Sequence, residues 1–73
     1  MEYTTEIDGS EYKFDIEYRM GEVDNGRGGT MWGVEYWYIS HVENKRVEGA
    51  ERARWTAQLD EEDVINEIME WES

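Results

Sequence analysis

Four acids near the end of the sequence, Asp60, Asp63, Glu67 and Glu70, are spaced three, four and three residues apart. On a helix that spacing stacks the carboxylates along one face, with neighbours about 5–6 Å apart at Cβ. Such a row can share protons, or it can present a line of negative charge to a basic surface. Glu35, set among aromatic residues in "GVEYWY", is the single acid placed for acid–base chemistry of its own. Ser40 and His41 are the only serine–histidine neighbours, and in a regular strand adjacent side chains point to opposite faces, which excludes a nucleophile–base pair. With no cysteine and one histidine, thiol chemistry, disulfides and the usual zinc ligand sets are absent, so neither a metal nor a cofactor is expected. "NGRGGT" lacks the Gly-Lys-Ser/Thr ending of a P-loop, and "DNGRGGTMWGVE" puts glycines where a calcium loop needs ligands. Catalysis is the minority expectation, and the carboxylate row is the more informative feature.

The elements that must position these groups follow from periodicity. "EYTTEI" and "EYKFDIEYRM" flank Asp8-Gly9, a dipeptide that closes tight hairpins. In the second segment Tyr12, Phe14, Ile16, Tyr18 and Met20 alternate with Lys13, Asp15, Glu17 and Arg19, giving one apolar and one charged face. "GEVDNGRGG" reads as a flexible connection, and a third strand runs from about Met31 to Val42, with a turn at "ENKR". Val47–Gln58 fits either a helix or an edge strand; the alternation of Ala53, Trp55 and Ala57 tilts it towards a fourth strand. From Asp60 a helix is expected, with Asp60 as N-cap, Asp63 at the capping-box position, and Val64, Ile65, Ile68, Met69 and Trp71 on one arc. The fold class is therefore α+β: one small domain, a three- to four-stranded antiparallel sheet with one C-terminal helix packed on one face, in two layers.

Strict alternation along the third strand puts Trp32, Val34, Tyr36 and Tyr38 on one face and Glu35, Trp37 and Ile39 on the other. The first set matches the apolar face of the second strand and is the expected core. Trp37 and Ile39 then emerge on the open face beside Glu35, a composition suited to the centre of an interface.

A formal charge of −12 on 73 residues is the strongest compositional signal. Seven of the nineteen acids lie between Asp60 and Glu72 with no basic residue among them. Such a surface repels nucleic acid and anionic lipid and attracts basic protein surfaces, so neither direct nucleic-acid binding nor membrane association is expected. No apolar run reaches a membrane span and no signal peptide is evident, which makes a cytoplasmic protein the expectation.

In size and composition the chain resembles the small acidic proteins with which bacteriophages disable host machinery, anti-CRISPR proteins among them. The resemblance implies an inhibitor that works by binding, and it assigns no residues. The expected function is thus non-enzymatic occlusion of a host protein or nucleoprotein complex with a basic surface, in the host cytoplasm. Asp60, Asp63, Glu67 and Glu70 would supply attraction, and Trp37 and Ile39 beside Glu35 would supply anchoring. The alternative is an acidic homodimer whose charge serves solubility or high-salt adaptation.

Overall fold

The computed structural model describes all 73 residues. It is an α+β fold, a four-stranded antiparallel sheet in the order β1-β2-β3-β4 followed by two helices. The elements are β1 (Glu2–Ile7), β2 (Ser10–Asp24), β3 (Thr30–Val42), β4 (Lys45–Arg46), α1 (Gly49–Gln58) and α2 (Glu61–Glu72).

Tight turns set the sheet. Asp8 and Gly9 both adopt positive φ, as a two-residue hairpin turn with the right twist requires, and Ile7 pairs Ser10 across it. Glu43 and Asn44 repeat that geometry between β3 and β4. The connection between β2 and β3 is much shorter than the sequence suggests. Gly21–Asp24 continues β2, and only Asn25–Gly29 turn the chain, held by Asn25 Oδ1 accepting from the Arg27 and Gly29 amides at 2.8 and 3.3 Å.

The decisive feature is the register of β2 against β3. Phe14, Ile16, Tyr18 and Met20 face Val42, Ile39, Trp37 and Val34, so that two residues of β3, Glu35 and Ser40, have no partner. Each is a β-bulge, and each shifts the alternation of β3 by one residue. Gly21 explains the first. The Glu35 carboxylate occupies the space that a Cβ on Gly21 would fill, and from there it pairs with Arg19 Nε at 3.5 Å.

The bulges invert the expected faces. Ile39 is 0% exposed and belongs to the core with Phe14, Ile16, Val42, Val47, Val64 and Ile68, while Trp37 is half-buried against that cluster. Tyr36 and Tyr38, expected inside, pair with Arg19 and Glu17 on the charged face and are exposed. Val34 does lie on the helix side, and so does Trp32 opposite Glu22, but the helices do not cover Trp32, which is 63% exposed.

Val47–Gln58, tilted towards a strand by its sequence, instead contains α1. The half-buried residues of α1 are Arg52, Trp55 and Thr56, and Leu59 at its C-cap completes the i, i+3, i+4, i+7 face of a helix. Two of the four are polar, which hides the helical period. Trp55 packs edge-on to Phe14 at 5.7 Å between centroids and against Tyr12 at 5.2 Å. Asp60 caps α2 as expected, its Oδ1 accepting from the Glu62 amide at 2.9 Å. Val64 and Ile68 are buried and Ile65 and Met69 half-buried, whereas Trp71, expected on the same arc, is exposed in the last turn.

Candidate functional site

The α2 acids are presented to solvent. Asp60, Asp63, Glu67 and Glu70 are all exposed, and the three ion pairs of the molecule, Lys13–Glu2, Arg19–Glu35 and Arg46–Glu48, with the His41–Asp15 contact, leave every acid of α2 without a cation. The row lies along the β1 side of the sheet. There it acts on Tyr3, whose pKa is raised by burial, lowered in part by a hydrogen bond with Thr5, and raised further by the charges of Asp63, Glu67 and Asp60.

At the other end of α2 the Tyr18 hydroxyl donates to Glu72 Oε2 at 2.8 Å, and that bond, with some desolvation and the carboxylate charge, lifts its pKa above the ordinary 10.0. Both tyrosines hold their protons more tightly folded than unfolded. Their contribution to stability is complete below pH 10.0 and is lost as pH rises through the higher folded values. Thermal melts between pH 9 and 11.5 should therefore show a falling Tm, with a shallower fall in Tyr18→Phe; identical slopes would contradict the linkage.

The second surface is aromatic, and it is not the one expected. Trp37 and Ile39 do not reach the open face, because the bulge at Glu35 turns them inward. Glu35 itself is exposed beside Arg19, whereas Trp37 is half-buried and Ile39 fully buried. In their place stand Tyr36 and Tyr38, whose rings are nearly parallel (16°) with centroids 6.5 Å apart. The Arg52 guanidinium stacks on Tyr38 at 4.8 Å from the centroid, while its Nε and Nη2 donate to the Ile39 and Val47 carbonyls at 2.8 and 3.1 Å. Gly21 was the sequence signal for this reversal, since an isolated glycine within an alternating run marks a bulge or a close approach.

N-terminal to Ile39 the outer edge of β3 is bare. β4 pairs only His41 and Val42, and the Val47 amide reaches the Ser40 carbonyl at 3.0 Å. From Thr30 to Tyr38 no backbone group bonds on that side. An open groove of about 520 Å³ runs between this edge and the elbow joining α1 to α2, with Val34, Tyr36, Trp37, Leu59 and Ile65 as its apolar lining and Glu35 and Glu61 as its charge. A second open groove of about 490 Å³ lies between the β1–β2 turn and α1. The elbow between the two helices makes room for the first of these.

Ser40 and His41 also depart from expectation. At the second bulge their side chains meet, His41 Nδ1 lying 3.0 Å from Ser40 Oγ. Ser40 Oγ donates to the Asp15 carbonyl at 3.1 Å, which leaves the ring nitrogen as donor to the hydroxyl. Asp15 Oδ2 approaches the same Nδ1 at 4.0 Å. A nucleophile needs a base that accepts its proton and a carboxylate on the opposite ring nitrogen. This cluster has the reverse polarity and fastens the bulge to β2. No group of three or more His, Cys, Asp or Glu side chains is arranged to hold a metal, and no helix is long and apolar enough to cross a membrane. Compared with protein-family models, curated proteins and solved structures, the chain has no match in any of the three.

Proposed function

We propose that the protein is a non-enzymatic inhibitor of the phage anti-defence kind, which binds a host nucleic-acid-handling complex in the host cytoplasm and occludes its basic surface. The observation that carries this reading is the uncompensated charge of α2. All seven acids from Asp60 to Glu72 lack an ion-pair partner, and like charges at three- and four-residue spacing destabilise the helix that bears them by about 0.2–0.5 kcal/mol per pair. A basic groove would relieve that repulsion and would draw the protein in from a distance set by the Debye length, about 8 Å at physiological salt.

Electrostatic capture acts mainly on the association rate. The test is to isolate the host complex that the wild-type chain retains, assay its nucleic-acid activity, and measure binding kinetics to it. The double variant Asp63→Lys/Glu67→Lys should associate on the order of tenfold more slowly and with a weaker salt dependence, at a nearly unchanged dissociation rate. Retention that is indifferent to salt and to this reversal would overturn the reading.

A homodimer is the second reading, favoured by the bare edge of β3 with Trp32 and Tyr36 exposed along it. It predicts twice the chain mass in solution and no dependence on the α2 acids.

A further inference from the structure

We infer that the bare edge of β3, centred on Val34–Tyr38, accepts an extended segment of the partner protein that carries arginine or lysine towards one face and an aliphatic side chain towards the other. The inference rests on the reading that the protein works by binding, and it assigns a separate surface from α2.

Backbone chemistry comes first. A sheet edge offers a row of free donors and acceptors, and folded proteins usually protect it with lysine, proline, bulges or a covering element. The C-terminal part of β3 is covered by β4, the Val47 amide and the Arg52 guanidinium. The backbone of Thr30–Tyr38 has no hydrogen-bond partner on this side, and the stretch contains no proline or lysine and bears one charge, Glu35. The bulge at Glu35 breaks the edge into two short runs, which suits a short added strand better than a long self-template.

Side-chain positions then select the occupant. A strand laid along this edge would alternate between the groove on the helix side and the tyrosines on the open side. The groove offers Val34, Trp37, Leu59 and Ile65 to an aliphatic group, with Tyr36 at its edge bordering both sides of the strand and Glu61 exposed and unpaired at its rim. On the other side Arg52 already stacks on Tyr38, and Tyr36 continues the ladder with a parallel ring that is 52% exposed. A partner guanidinium on Tyr36 would repeat the arrangement of Arg52 one ring further along, near Glu35. A second copy is the less complementary occupant: its edge brings no lysine or arginine between Thr30 and Tyr38, and each copy carries −12.

The probe is a short blocked peptide alternating valine and arginine, titrated into the isotopically labelled full chain and followed by NMR. Binding should shift the amides of Thr30–Tyr38, Leu59 and Ile65 and slow exchange along the β3 edge. The same peptide with alternate amides N-methylated keeps its charge but loses strand pairing, and it should bind on the order of tenfold more weakly. Glu61→Lys should weaken the unmodified peptide, and Asp63→Asn/Glu67→Gln/Glu70→Gln should not. Equal affinity for the two peptides, shifts confined to α2, or protection of the edge by self-association of the chain alone would overturn the inference. Failure here with an intact α2 dependence of host-complex capture leaves the occlusion reading standing; peptide binding without that dependence removes the occlusion reading and keeps the edge.

Discussion

Ile39→Ala should lower the free energy of unfolding by about 2–5 kcal/mol, while Tyr36→Ala, three residues away, should change it by less than about 0.5 kcal/mol. Ile39 is 0% exposed in a core of only seven residues, and truncating it removes both its transfer free energy and the contacts of Ile16, its cross-strand partner. A chain of 73 residues has a total stability of about 4–11 kcal/mol, so the loss is a large share of what holds the protein together. Strict alternation along β3 predicts the opposite order, with Tyr36 inside and Ile39 outside. Urea unfolding of the two variants therefore tests the bulge at Glu35 directly, and comparable losses in both would refute it.

Arg52→Met should cost about 2–3 kcal/mol, although methionine packs in apolar surroundings more readily than arginine. The methionine retains the packing of the aliphatic stem, so the loss isolates the guanidinium. That group donates to two carbonyls, on Ile39 and Val47, and stacks on Tyr38, thereby closing the β3 edge where β4 stops and tying α1 to the sheet. Charge-assisted bonds to backbone oxygens contribute more than neutral ones, and removal of the donor leaves two part-buried carbonyls without a partner. Arg52→Lys should recover less than half of the loss, because a point ammonium cannot span both oxygens. Full recovery by lysine in the same unfolding experiment would show that charge alone, and not the planar fork, holds the edge.

Much of the frame was legible because it depends on local chemistry. Asp8-Gly9 demands a tight turn, the nine-residue alternation from Tyr12 to Met20 demands a one-sided strand, and Asp60 ahead of three acids demands a helix start. The exposure of Asp60, Asp63, Glu67 and Glu70 followed from the same helical count. What was not legible depends on pairing between segments. The bulges at Glu35 and Ser40 exist only in the register of β3 against β2, and they moved Trp37 and Ile39 inward, Tyr36 and Tyr38 outward, and Ser40 into reach of His41. α1 escaped for a different reason. Arg52 and Thr56 occupy its inner face, and their role there is to bond carbonyls rather than to supply apolar surface.

Seen through the bulges, β3 is a simple strand with two residues inserted. Omit Glu35 and Ser40, and Val34, Trp37, Ile39 and Val42 fall into unbroken period two, with Tyr36, Tyr38 and His41 between them. Neither inserted residue contributes a core side chain, but each holds its own bulge: Glu35 lies over Gly21 and pairs with Arg19, and Ser40 Oγ bonds the Asp15 carbonyl. Deleting either one would remove an unpaired residue and leave every β2 partner and both faces of β3 unchanged, whereas deleting a paired residue between them would turn one side of the strand to the wrong face, so the two bulge positions are where this strand tolerates a change of length.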